Sequence, residues 1–211
     1  MKGADGVRDQ IAALLQFEVA RKVPLLRTAW DLTATSMPEI EQLVSGEPPD
    51  SVLDSSGNTW VNVINPRFLK TQRVDIQRGL PVYLTRYSCR IYVWAKADSW
   101  ADVRAARDHL AAACRLALFE YPNLTPGARG DTGYRLHENT YTEEFGEPFR
   151  VRNSKGNRAW AGAVLAIDAD VQETLEDGST RPPIGELENP QNTITVTAAA
   201  AGPGQPLPGE D

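Results

Sequence analysis

The sequence predicts an α+β fold, a mainly antiparallel four-stranded sheet flanked by an N-terminal helix and a central helix, with an extended C-terminal arm. Three patterns predict it. From Tyr87 onward the odd positions Tyr87, Cys89, Ile91, Val93 and Ala95 are apolar while Ser88 and Arg90 alternate with them, the period of a strand with one buried face. Ala161, Ala163, Leu165, Ile167, Ala169 and Val171 repeat that period later in the chain. Between the two, Val103, Ala106, Leu110, Ala113, Cys114, Ala117 and Leu118 recur at helical spacing and form one stripe.

Taken in order, Val7 to Arg21 reads as a helix with Val7, Ile11, Leu14, Leu15 and Val19 inward, and Pro24 kinks or restarts it. Pro38 to Val44 reads as a short second helix with Pro38 in its first turn. Residues 46–58 are loop by composition, and Thr59 to Asn65 is a short strand. Residues 65–81 form a basic connection with the makings of an extra hairpin arm. The long strand that follows is stopped at Asp98-Ser99. Ser99 is placed to accept from the first orphan amides of the central helix, and Asp102 adds negative charge to its first turn. That helix ends before Pro122, and 123–133 is dense in turn residues. Tyr134 to Phe145 is a polar, aromatic strand without clear parity; residues 152–157 signal a hairpin turn into the last strand, Trp160 to Val171.

The domain reading is a body over 1–175 and a Pro/Gly-rich acidic arm over 176–211, in which only Thr193, Ile194, Thr195, Val196 and Thr197 read as a strand. The arm cannot bury enough surface to fold alone, so it is expected to be disordered or to order against a neighbouring subunit. Hydrophobic content of 41% and five tryptophans suffice for a core, and a mean hydropathy of -0.39 without a long apolar run argues against a membrane span. Asp5, Asp9 and Glu18 make the N-terminus an amphipathic helix rather than a secretory signal, and synthesis in a cytoplasm is the default. Residues 170–211 hold eight acids against Arg181 alone; removing these from the 22 basic and 28 acidic residues of the chain leaves a body with 21 and 20. A near-neutral body with an acidic tail lacks the clustered Lys and Arg of a nucleic-acid groove.

Candidate chemistry is sparse. Cys89 and Cys114 lie on the apolar faces of strand and helix and read as buried free thiols. His109 and His137 have no second ligand at metal spacing and read as solvated surface residues. No cofactor is implied. Asp168 and Asp170 read as outward, solvated carboxylates, and Glu143-Glu144 are strand neighbours that point to opposite faces. No GxSxG is present, Gly202-Pro203-Gly204 lacks a following helix, and Arg129-Gly130-Asp131 is explained by a turn. Asn123-Leu124-Thr125 is a glycosylation sequon only in a secreted chain. The features left over concern assembly. Arg67, Phe68, Leu69, Lys70, Arg73 and Arg78 make a basic, partly apolar subunit-contact arm, and the acidic tail of a head-to-tail neighbour offers the opposite sign.

The order of elements carries a resemblance. A helix, a strand running into an Asn-Pro loop (Val61 to Pro66), and the strand Tyr87 to Trp94 come in turn. A helix with Arg107-Asp108-His109-Leu110 and Arg115-Leu116-Ala117-Leu118 follows, and two closing strands complete the set. Over about residues 5 to 175 this resembles the tail terminator proteins of long-tailed (siphovirus-type) bacteriophages, especially those of actinobacterial hosts. The resemblance implies a virion component, a homo-oligomeric ring, hexameric by expectation, that caps the tail tube. Its partners would be the tail tube protein on one face and the head-tail connector on the other. DNA would pass through its channel without sequence-specific binding, past inner-facing carboxylates. Other neck components, a small enzyme using Glu143 and Asp168, and an adaptor binding through its Pro-rich tail are the alternatives.

Overall fold

The computed structural model describes residues 3–46, 57–77, 80–124, 133–153 and 156–174. Two helices and seven strands follow in the order α1 (Gly3–Ala29), β1 (Gln42–Ser45), β2 (Thr59–Val63), β3 (Arg67–Gln77), β4 (Leu80–Ala97), α2 (Trp100–Glu120), β5 (Tyr134–Phe145), β6 (Phe149–Asn153) and β7 (Gly156–Thr174). The class is α+β as the pattern predicts, but the sheet is larger than four strands and is mixed, because β1 runs parallel to β2.

The spine is the antiparallel ribbon of β4 and β7, in register from Val82 opposite Thr174 to Ala97 opposite Ala159. Each long strand carries two shorter ones end to end on its outer side. On β4 these are β2, against Ile91 to Ala95, and β3, against Leu80 to Ser88. On β7 they are β6, against Gly156 to Trp160, and β5, against Ala163 to Val171. The sheet order is β1-β2-β4-β7-β5.

The odd positions from Thr85 to Ala95 in β4 and from Ala159 to Glu173 in β7 are buried, and both helices pack on that face. Val7, Ile11, Leu14, Leu15 and Val19 of α1 and Leu110, Cys114 and Leu118 of α2 complete one core with Ile91, Val93, Leu165 and Ile167. Fully burying side chains of this size contributes about 1.5–3 kcal/mol each. A smaller cluster of Ala95, Val103, Ala106, Ala159 and Ala161 seats the start of α2, where close approach suits small residues. Ser99 caps α2 as expected, its Oγ accepting from the amide of Asp102 at 3.0 Å.

Three local expectations are corrected. Helix α1 does not stop near Arg21; it continues through Pro24 to Ala29. The carbonyl that Pro24 leaves without a donor belongs to Ala20, which is exposed to water, while buried Val19 and Val23 hold the helix on the core. The segment from Pro38 is not helical. Gln42 to Ser45 adds to β2 as a strand, and Gln42 Oε1 accepts from Trp60 Nε1 at 2.7 Å, so sheet pairing overrides local propensity. The basic connection forms β3, the hairpin partner of β4, and residues 149–153 form β6, which the sequence pattern did not reveal.

Candidate functional site

The face of the sheet away from the helices carries the even residues of β4 and β7. Register puts Arg86 opposite Asp170, and β5 puts Arg135 opposite Asp170 and His137 opposite Asp168. Asp170 is 5% exposed and its carboxylate is fully engaged. Arg86 donates to both of its oxygens, at 2.7 and 3.0 Å, and His137 Nε2 lies 2.7 Å from Oδ2. An ionised carboxylate only accepts, so the contact to Oδ2 is made by a proton on His137 Nε2, which also lies 3.0 Å from Arg86 Nη2. Burial pushes the Asp170 carboxyl up, but hydrogen bonds from Arg86 and His137 outweigh it and hold the group below the ordinary carboxylate range. The same hydrogen bond holds Arg86 more firmly protonated.

This cluster borders a cavity of about 910 Å³ whose walls include Leu84, Tyr134, Arg135, His137, Glu138 and Asp170. It corrects the sequence reading twice: Asp170 is buried and paired rather than solvated, and His137 is its partner rather than a surface residue. The reason is register. The aspartate shares its strand position with Arg86 across β4 and with β5 across the other side, which sequence spacing within β7 does not disclose. His109 is corrected as well. It is partly buried, its Nδ1 is 2.7 Å from the carbonyl of Ser36, and its ring lies against Trp30.

Glu143 and Asp168 do not converge. Glu143 pairs with Leu165 on the helix side, where it accepts from Tyr141 Oη at 2.5 Å and from Arg115 at 3.0 Å. Asp168 lies on the other face of the sheet. Burial, then the Glu143 hydrogen bond and charge, push the Tyr141 hydroxyl up. Cys89 and Cys114 are buried and free, and burial, with the nearby charge of Asp168 or Glu143, pushes each thiol up to about 12. Among the described residues no group of His, Cys, Asp or Glu is arranged to hold a metal ion, and no helix is long and apolar enough to cross a membrane.

The subunit-contact arm lies on β3. Arg67, Lys70 and Arg73 are exposed, as are Phe68 at 56%, Leu69 at 43% and Val74 at 50%. Bulges fall between Phe68 and Lys70 and between Arg73 and Asp75, so Leu69 and Val74 are the extra residues of the strand. Phe68 meets Tyr87 edge to face. Arg78 and the strand Thr193 to Thr197 lie outside the described residues, as does the rest of the acidic arm.

An aromatic cluster escaped the sequence reading. Trp60 and Trp160 stack with ring centroids 5.2 Å apart, and the Lys96 ammonium sits 5.3 Å from each ring. Trp94 covers Gly162 so closely that a Cβ there would lie 2.6 Å from its ring. The available signal was the even parity shared by Trp94, Lys96 and Trp160, opposite to the core parity of the same strands.

No protein-family model matches the chain, and no curated protein matches it. Among solved structures, a chain from the virion of a native gene transfer agent particle aligns over 77% of this chain and 98% of that one. Identity is 18% and the TM-score is 0.27, a likeness that by itself assigns neither fold nor role.

Proposed function

We propose that this chain is a structural protein of a phage-type virion, a tail terminator whose ring caps the tail tube and joins it to the head-tail connector. The observation that carries the reading is the β3 edge: an eleven-residue strand whose only partner among the described strands is β4, with three exposed cations and three exposed apolar side chains. A monomer that displays such an edge exposes a template for another chain. The resemblance of the element order to tail terminator proteins supports the same reading, and the elements it rests on, α1, β2 into Asn65-Pro66, β4, α2, β5 and β7, are formed. Arg8 anchors the Asn-Pro step, donating to Asn65 Oδ1 at 2.5 Å and to Ser45 Oγ at 2.9 Å, so the start of β3 is held by α1.

The role is one of assembly without chemistry of its own, and the genome passes the ring without sequence-specific contacts. Asp170 favours this over a carboxylate enzyme. Although it borders the cavity, its oxygens are committed to Arg86 and His137, and a carboxylate held ionised by two donors ties three strands together better than it shuttles a proton. The test is electron microscopy of the purified full chain, alone and with tail tubes. Rings, or one ring at one end of a tube, are expected. A strict monomer that never associates with tubes refutes the proposal.

A further inference from the structure

We infer that the β3 edge of one subunit pairs with the β5 edge of a second copy, so that neighbours in the ring share one continuous sheet. The inference rests on the ring reading and names the surfaces that make it. Both strands are edges among the described residues: β3 pairs only with β4, and Thr142 to Phe145 of β5 pairs only with β7.

Strand direction comes first. β4 is antiparallel to β3 and to β7, and β7 is antiparallel to β5, so β5 runs with β4 and opposite to β3. A second copy turned about an axis along the strands keeps these directions. Its β3 then arrives antiparallel to the first copy's β5, the more stable pairing.

The two edges also carry opposite charge. Arg67, Lys70 and Arg73 are exposed and make no ion pair among the described residues, and Asp75 is the only acid in β3. From Glu138 to Glu147 the chain has four acids and no base. Glu143 is taken by Arg115 and Glu147 by Arg104, which leaves exposed Glu138 and Glu144 facing outward without an ion pair among the described residues. The edges therefore complement each other and repel their own kind, which selects head-to-tail contact over a two-fold dimer. Apolar surface matches as well: Phe68, Leu69 and Val74 on β3 and Phe145, 45% exposed, on β5. The two bulges restrict β3 to short runs of pairing, which suits a partner edge as short as Thr142 to Phe145.

The rival occupant of β3 is the acidic arm 176–211. Sedimentation velocity on the full chain separates the two, with three variants: Lys70→Glu/Arg73→Glu, Glu138→Lys/Glu144→Lys, and a truncation after Leu175. Each double variant is expected to raise the concentration of half-assembly by roughly tenfold or more. An equimolar mixture of the two double variants is expected to reassemble, because chains with two acidic edges alternate with chains with two basic ones. The chain carrying all four substitutions is expected to recover too, which excludes misfolding as the cause. Double variants that assemble like the unsubstituted chain overturn the inference and leave the ring standing. So does a truncation as damaging as the β3 reversal while the β5 reversal is silent, since β3 then binds the arm. An unsubstituted chain that forms no ring, alone or on tubes, refutes the ring reading itself and the inference with it.

Discussion

Replacing Asp170 by Asn removes one charge from the cluster and almost no volume. Asp170 accepts both arms of Arg86 and the Nε2 proton of His137 while itself 5% exposed. An amide presents one oxygen and one NH2 group, so at least one of the three contacts becomes donor against donor. Losing one partner of a well-buried pair costs about 3–5 kcal/mol. The Arg86 side chain is 27% exposed and recovers some hydration, so the cost here is about 2–3 kcal/mol. For a body of this size that lowers Tm by roughly 4–12 °C. Thermal unfolding followed by circular dichroism reads it directly.

The pH dependence has a definite sign. The folded-state pKa of Asp170 is below the ordinary 3.8, so its contribution is complete above that value and is lost as pH falls through the lower folded value. The Asp170 part of the stability difference between the unsubstituted chain and the Asp170→Asn variant therefore shrinks as pH falls below about 3.8. A double-mutant cycle with Arg86→Met isolates the pair, with an expected coupling above about 1 kcal/mol. Additive effects, or a Tm unchanged by Asp170→Asn at neutral pH, refute the reasoning.

Three further outcomes follow from the geometry. Ser99→Ala removes the hydroxyl that accepts from the Asp102 amide and donates to the Asp102 carboxylate, and is expected to cost about 1 kcal/mol in chemical denaturation, whereas Ser99→Thr, which keeps the hydroxyl, retains most of the stability. Gly162→Ala sets a methyl 2.6 Å from the Trp94 ring and forces that ring to move, so a loss of about 1–3 kcal/mol is expected together with a change in tryptophan fluorescence. Cys89 and Cys114, buried with thiols pushed up to about 12, are expected to resist a thiol reagent at neutral pH in the native state and to react, both of them, in denaturant.

The helix-facing side of the molecule was legible because its signals are local. Tyr87 to Ala95, Ala161 to Val171 and the stripe from Val103 to Leu118 each state their buried face within one element, and the residues of those faces are all buried. The cap at Ser99 is equally local. What escaped depends on pairing partners. Gln42 to Ser45 becomes a strand because Trp60 to Val63 lies beside it, and Asp170 is buried because Arg86 and His137 meet over it from strands 84 and 33 residues away. The five tryptophans were visible as composition, but the stacking of Trp60 on Trp160 spans two strands that are 100 residues apart. Arg67, Lys70 and Arg73 were legible as a basic arm; their position on an unpaired edge was not.

The edge strands hold part of the exposed apolar surface of the body; the rest, Phe17, Leu25, Trp30, Trp100 and Leu116, lies on or beside the helices. A sheet that only had to fold would end its outer strands in short, charged, well-covered segments. Here the β4–β7 ribbon is flanked on both sides, and its helix side is closed by α1 and α2. Yet β3 exposes Phe68, Leu69 and Val74, and the end of β5 and start of β6 expose Phe145 and Phe149. Folding gains nothing from leaving those side chains in water, at about 25 cal/mol for each Å² that stays exposed. Bulges and cations meanwhile keep β3 from pairing with itself. An edge that is apolar enough to be buried, and guarded against its own copy, is suited to one orientation of one partner, which is what a closed ring of identical subunits requires.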